Sequence, residues 1–171
     1  LEREYNYWMN GRELAGENNA AINHLAYLHD HAFLNRYCDA FDTPRPESYR
    51  EDVELSHSSS RQSTDLYKHL RVGAESGWDY SSSWFKDLNC LLYHLEQTIA
   101  EAYINNHDFT SANRFKMLAE KRSHLIQQYC WNHERQFFVD YDFVAAKQKS
   151  ALTLAGVAPL YFNIATQPQA D

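Results

Sequence analysis

Cysteine is scarce. Cys38, Cys90 and Cys130 are the only three in the chain, and they lie far apart. An odd number without close spacing excludes a disulfide framework and a zinc motif. They read as reduced, mostly buried thiols, which points to a cytoplasmic protein, with the periplasm as the alternative. Basic charge is also short: the net charge is −7 and no basic run offsets it, and the pI is about 5.7. Such a balance disfavours nucleic acid and anionic membranes as partners. The longest apolar run, Leu152 to Phe162, is too short for a bilayer, which takes about 20 residues. No signal peptide stands at Leu1. Leu1 is not an initiator methionine either, so the chain reads as cut from a longer one whose upstream part could carry a leader. No P-loop, dinucleotide fingerprint, GxSxG elbow or HExxH is present, which removes nucleotide, serine-hydrolase and zincin chemistry. No repeat of 20 to 50 residues is visible in the sequence.

What remains is a chain of globular composition, 171 residues long and 44% hydrophobic. It is read as a single piece over 1–171, able to bury a sizeable core. Aromatics reach 15%, a weak hint of carbohydrate contact. Leu1 to Asn10 reads as the end of a helix, with Tyr5, Trp8 and Met9 on one face and Gly11 as its stop. Arg12 to Asn23 is a loop, and His24 to Tyr37 a β-hairpin turning near Asp30. His29-Asp30-His31 is no metal site, because adjacent strand residues point to opposite sides. Asp87 opens the clearest helix, with Leu88, Leu91, Leu92, Leu95, Ile99 and Ala102 at the spacing of one buried face. It ends in the turn cluster Asn105 to Asp108. Thr110 opens a second helix, apolar along Phe115, Leu118, Leu125, Ile126 and Tyr129, with Lys121, Arg122 and His124 on a solvated face. Trp131 to Asp142 is a turn and a strand-like run. Ser150 can cap a last helix that Pro159 kinks or ends. The pattern is all-α in the main: antiparallel helix pairs with small β-hairpins on the loops, hence a bundle or an α-toroid.

The chemistry centres on Arg71 to Ser81. A helix carrying Leu66 and Leu70 runs into it and Gly77 stops that helix. Trp78, Asp79 and Tyr80 follow. A carboxylate between two rings is pushed toward its protonated form if buried, the state a general acid needs. Aromatic faces beside acids also suit sugars. The plainer alternative is that Asp79 caps the next element and Trp78 fills the core. Upstream, Pro44 and Pro46 hold Asp42 to Pro46 extended, and a helix to about Leu55 follows. Arg45 and Glu47 at its start form either a capping salt bridge or a clamp on neighbouring sugar hydroxyls.

The segments PRPESYREDVE (44–54) and GAESGWDYSSSWF (73–85), in that order, resemble trehalase of glycoside hydrolase family 37. LNRYCDAFDTPRPESY, DLNCLLYHLE, FFVDYD and APLYF agree as flanks, so the resemblance runs from about Tyr5 to the C-terminus. It implies an (α/α)6 toroid and a hydrolase, a glycosidase of carbohydrate metabolism acting in trehalose catabolism. The implied enzyme inverts the cleaved glucose, needs no cofactor, and works as a monomer at full length on the small-molecule substrate trehalose. Carried over residue by residue, Asp79 becomes the general acid. Arg45 and Glu47, with Pro46 between them, bind substrate hydroxyls. Gly77 lies against the sugar and Trp78 supports the pocket wall.

Three departures qualify the resemblance. The family's catalytic base lies C-terminal of this region, and no other acid here takes that role. Both outer signature motifs, PGGRF-type upstream and QWDxPxxW-type downstream, are missing, so the chain reads as an internal portion of the catalytic domain. The family's connection between SSxWF and DLN is longer than Phe85–Lys86–Asp87, and Ser83 stands where many members carry arginine. Exposed helix faces in so partial a barrel would make the isolated piece unstable and inactive. The rival readings are a hydrolase of another glucoside, a non-catalytic sugar-binding or scaffold protein on the same toroid, and a helical interaction module.

Overall fold

The computed structural model describes residues 1–16, 21–28, 32–36, 83–84, 86–142, 146–150 and 152–171. The expected helices ending near Leu55 and at Gly77, Cys38 and the His29-Asp30-His31 cluster lie outside the described residues.

Helix α1 spans Glu2–Trp8. Tyr5 is its buried residue, and Met9 packs on the same cluster as Tyr5. Gly11 ends the turn behind it at φ +91°. A side chain there would be strained, and its Cβ would stand 2.6 Å from Ile22 Cγ2. The expected hairpin is formed by β2 (Leu25–Leu28) and β3 (Ala32–Asn35), with Leu25 opposite Asn35 and Leu28 opposite Ala32. One part of the expected loop is different: Ala21–Ile22 adds a short strand, β1, on the free edge of β2. Extending the sheet by two residues satisfies backbone groups on that edge.

The centre of the molecule is an antiparallel helix pair. Helix α2 covers Lys86–Asn105 and α3 covers Phe109–Cys130. Asp108 closes the turn between them by accepting the Ser111 N–H at 3.0 Å, so the cap lies two residues ahead of Thr110. Phe115, Leu125 and Ile126 are buried as the spacing predicts, while Leu118 and Tyr129 are half-buried. Two expectations fail. Leu91 is 50% exposed, because the buried arc of α2 is turned toward Asn89 and Glu96. Arg122 is not on the solvated face: it is 5% exposed, whereas Lys121 and His124 are exposed as predicted.

After α3 the chain folds back in short pairs. β5 (Trp131–Asn132) pairs with β6 (Phe137–Phe138), and β7 (Tyr141–Asp142) pairs with β8 (Lys147–Gln148). β7 also pairs with β4 (Ser83–Trp84), Ser83 opposite Asp142 and Trp84 opposite Tyr141. A 3-10 turn, Leu154–Val157, leads into helix α4, Ala158–Tyr161. Pro159 therefore sits in the first turn of α4, where its missing N–H costs nothing, rather than ending a helix begun at Ser150. Gly156 lies against the Phe137 ring so closely that any Cβ would overlap it. The last helix, α5 (Gln167–Ala170), starts with a capping box between Thr166 and Gln169. Gln127 of α3 holds this end by donating to the Ile164 carbonyl at 2.6 Å and to Gln169 Oε1 at 2.9 Å.

Three apolar clusters fill the joints. Ala26, Leu28, Ala32 and Leu34 of the hairpin meet Leu125. Tyr5 meets Ile99, Ala100 and Phe115, its ring edge-on to Phe115 at 5.3 Å between centroids. Cys90, Ile126, Cys130, Trp131, Phe138 and Ile164 close the other end.

Candidate functional site

Two buried polar sites stand out among the described residues. The first joins α1, the hairpin and both long helices. Arg122 lays its guanidinium on the Glu96 carboxylate, with Nε donating to both oxygens at 3.1 Å and Nη2 donating to Oε1 at 2.9 Å. Nη1 donates to Asn35 Oδ1 and Asn89 Oδ1, each at 2.8 Å. Asn89 then acts as an extra strand partner for β3: its Oδ1 accepts the Asn35 N–H at 2.9 Å and its Nδ2 donates to the Asn35 carbonyl at 2.8 Å. Asn35 Nδ2 donates to the Trp8 carbonyl at the end of α1, at 2.8 Å. Burial opposes the charge on Arg122, but the Glu96 carboxylate outweighs it and holds the guanidinium pKa above its ordinary value. Tyr5 beside the pair is pushed up to about 12, first by burial and then by the charge of Glu96. The adjoining cavity is about 30 Å3, room for water and not for a sugar ring. This site is a structural clip.

The second site stands where the chain leaves the predicted catalytic motif. β4 begins four residues after Asp79, and Lys86, at the start of α2, is fully buried. Its Nζ lies 3.1 Å from Asp140 Oδ1 and donates to Thr153 Oγ1 at 3.2 Å. The Lys86 N–H reaches the same Asp140 oxygen at 3.3 Å. Asp140 is mounted firmly: its carbonyl accepts the Lys149 N–H at 2.8 Å, and the Val139 N–H before it donates to the Cys130 carbonyl at 2.8 Å. Gln148 braces the mount by donating to the Tyr129 and Trp131 carbonyls at 2.9 and 2.8 Å.

Arg45, Pro46, Glu47, Gly77, Trp78 and Asp79 lie outside the described residues. Among those described, no group of three His, Cys, Asp or Glu residues is placed to hold a metal, and no helix is long and apolar enough to cross a membrane. Cys90 and Cys130 are free and buried in one cluster. Burial pushes the Cys90 thiol up to about 12 and Cys130 in the same direction, so neither is a nucleophile at neutral pH.

His24 is buried between Tyr7 and Trp8, with ring centroids 4.8 and 4.6 Å away. Its Nδ1 has no hydrogen-bond partner among the described residues. Burial lowers its pKa below the ordinary 6.5, and the Arg36 charge adds to this against a hydrogen bond to the Arg36 backbone. Above the unfolded pKa both states are neutral and stability is unaffected. As pH falls through it the unfolded chain takes the proton first, so stability declines. Chemical denaturation of the full-length protein between pH 8 and 5, roughly the span over which a histidine titrates, is expected to show this decline. His24→Gln should flatten it, and an unchanged slope would remove His24 as the cause.

Sequence reasoning missed Glu96, Arg122 and the Lys86–Asp140 pair. For the first two the signal was present. Leu92, Glu96 and Ile99 follow a 4, 3 spacing, and so do Phe115, Ala119, Arg122 and Ile126 in the order 4, 3, 4. The period puts both charges on buried faces. Lys86 and Asp140 carry no such mark, because a strand pairing between distant segments brings them together.

The family model described as Trehalase matches residues 1–171. The periplasmic trehalase of Citrobacter koseri is 39% identical over 190 residues, covering 100% of this chain and 33% of the relative. The putative periplasmic trehalase of Salmonella typhi is 39% identical over 189 residues, covering 99% and 33%. The chain thus spans about one third of the length of the curated relatives it matches. Because the matches run longer than its 171 residues, those relatives contain residues with no counterpart in this chain. Among solved structures, neutral trehalase Nth1 from Saccharomyces cerevisiae aligns at TM-score 0.50 and 27% identity, over 62% of this chain and 23% of that one. The GH63 mannosylglycerate hydrolase of Thermus thermophilus, solved with Tris, aligns at TM-score 0.50 and 15% identity, over 95% and 36%. The fold is that of a segment of the (α/α)6 toroid these proteins share.

Proposed function

The chain belongs to the trehalase family, and from that we propose that it is an internal portion of an inverting α,α-trehalase, with Asp79 as the general acid. The observation that carries the reading is the match of the whole chain to the family model, together with the GWD and RPE motifs at Gly77–Asp79 and Arg45–Glu47. Asp79 gives its proton to the glycosidic oxygen. Water attacks the anomeric carbon from the opposite face, the C–O bond breaks, and a carboxylate base outside residues 1–171 takes the water's proton. The two carboxyls of such a pair stand about 6.5–9.5 Å apart. In this reading Arg45, Pro46 and Glu47 bind the substrate's hydroxyls, Gly77 lies against the sugar, and Trp78 walls the pocket.

The same reading places the protein in the periplasm. The Citrobacter and Salmonella relatives are named periplasmic, and this replaces the cytoplasmic expectation drawn from the cysteines. Buried thiols with raised pKa values are slow to react in either compartment, so cysteine usage had little power to decide the question.

The full-length protein is expected to release two glucose molecules from trehalose. Proton NMR during the first turnovers should show one α- and one β-anomer, the β-anomer from the attacked unit. Two α-anomers would overturn inversion. No glucose from trehalose would favour another glucoside or a non-catalytic sugar-binding role on the same toroid.

A further inference from the structure

A histidine seated in an aromatic slot joins the end of α1 to the hairpin sheet. Asn23 and His24 make the two-residue turn between β1 and β2, with Ile22 opposite Leu25 and Asn23 at φ +49°. The turn presents His24 to the slot between the rings of Tyr7 and Trp8. His24 is 7% exposed, and its Nδ1 makes no hydrogen bond among the described residues. That environment suits a neutral ring. An imidazolium has two N–H donors, and the slot gives Nδ1 neither an acceptor nor water. The attraction of a cation to the two rings is smaller than the hydration that a buried, unpaired charge gives up. The charged group acting on His24 is Arg36, of the same sign, whose Nε donates to the Asn23 carbonyl at 3.1 Å. From α1, Tyr7 meets it with a ring and Glu4 is taken up by the Trp8 Nε1–H at 2.8 Å. No ion pair joins His24 to a carboxylate among the described residues.

We propose that His24 is a proton-sensitive latch, whose protonation at acidic pH releases the end of α1 from the hairpin while α2 and α3 stay paired. A proton on His24 requires contact with water, and α1 is the piece that gives most readily. It is seven residues long, too short to hold as a helix alone, and Tyr7 over the slot is 57% exposed. The helices α2 and α3 run for 20 and 22 residues. The slot also adjoins the clip. When Trp8 moves, the Asn35 Nδ2 bond to its carbonyl is lost. Arg122 meanwhile keeps its bonds to Glu96, Asn35 and Asn89. The acidic form thus opens at α1 with the buried ion pair intact.

Hydrogen exchange of the full-length protein, read by mass spectrometry on peptides of α1 and α3, tests this. Protection is taken relative to the chemical exchange rate at each pH. That of Glu2–Trp8 is expected to lie well below that of α3. It should fall about threefold to tenfold between about pH 7.5 and about pH 5.5, the most that one histidine of ordinary unfolded pKa supplies over that span being about tenfold. In dilute urea the exchange of α1 should stay level while that of α3 rises, because a local opening exposes little surface. His24→Phe keeps a ring in the slot that takes no proton, and should abolish the pH dependence of α1. If His24→Phe does not fold, His24→Gln, uncharged at every pH, is judged by the same readout. Three results overturn the proposal: equal protection in α1 and α3, no fall in α1 protection in the wild type, or a fall that survives the replacement of His24.

Discussion

Replacing Arg122 by methionine is expected to destabilise the fold by about 3–5 kcal/mol, the usual loss when one partner of a buried ion pair is removed. The substitution strands the Glu96 carboxylate at 1% exposure and takes the donors from Asn35 Oδ1 and Asn89 Oδ1. Those two amides also set the meeting of β3 with α2, so the loss spreads to the hairpin. The double variant Arg122→Met/Glu96→Leu should recover much of the difference, because an apolar pair of similar volume removes the stranded charge. Urea denaturation of the full-length protein measures both. A single variant within about 1 kcal/mol of wild type, the worth of an exposed pair, would contradict the burial of this site. The effect belongs to stability: Arg122 has no part in the proposed mechanism, and kcat of the folded fraction should hold.

Replacing Asp79 by asparagine is expected to lower trehalose hydrolysis by about 10^2 to 10^4, the usual contribution of a general acid or base. Asparagine is the informative choice. It matches aspartate in size and is as good a helix cap, so a capping Asp79 would tolerate it. It has no proton of suitable acidity for the glycosidic oxygen, so a catalytic Asp79 would not. Steady-state rates of the two full-length proteins, with melting curves to confirm folding, decide the matter. Near wild-type turnover in the variant would make Asp79 structural and remove the role carried over from the family motif.

The helices were legible because a long amphipathic repeat declares itself. Leu88, Leu92 and Ile99 on α2, and Phe115 and Ile126 on α3, are buried where the period puts them. The reading erred where apolar type was allowed to outrank position. Residue type alone puts Leu91 inside and Arg122 outside, yet the buried face of α2 is centred toward Asn89 and Glu96, and Arg122 completes their bonding. The hairpin was legible from alternation, but the two-residue strands were not. β4 joins β7 although Trp84 and its partner Tyr141 are far apart in the chain, and nothing local in Ser83-Trp84 announces that pairing. The candidate site residues can be read only as a motif, and they lie outside the described residues. Arg45, Glu47 and Asp79 are common residue types whose roles depend on neighbours that period and spacing do not supply.

The clip around Arg122 also orders the assembly of the chain in time. The α2–α3 hairpin is built from contacts close in sequence, joined by a turn that Asp108 caps on its own. The clip needs residues 87 apart, Arg122 with Asn35, and then the end of α1 as well. Closing such loops costs entropy before any bond repays it. The helix pair is thus the part that nucleates, and the hairpin and α1 are the late arrivals it captures. Until they dock, Arg122 and Glu96 can satisfy each other while Asn89 waits with an amide edge open for a strand. Variants of Asn35 would accordingly speed unfolding more than they slow folding.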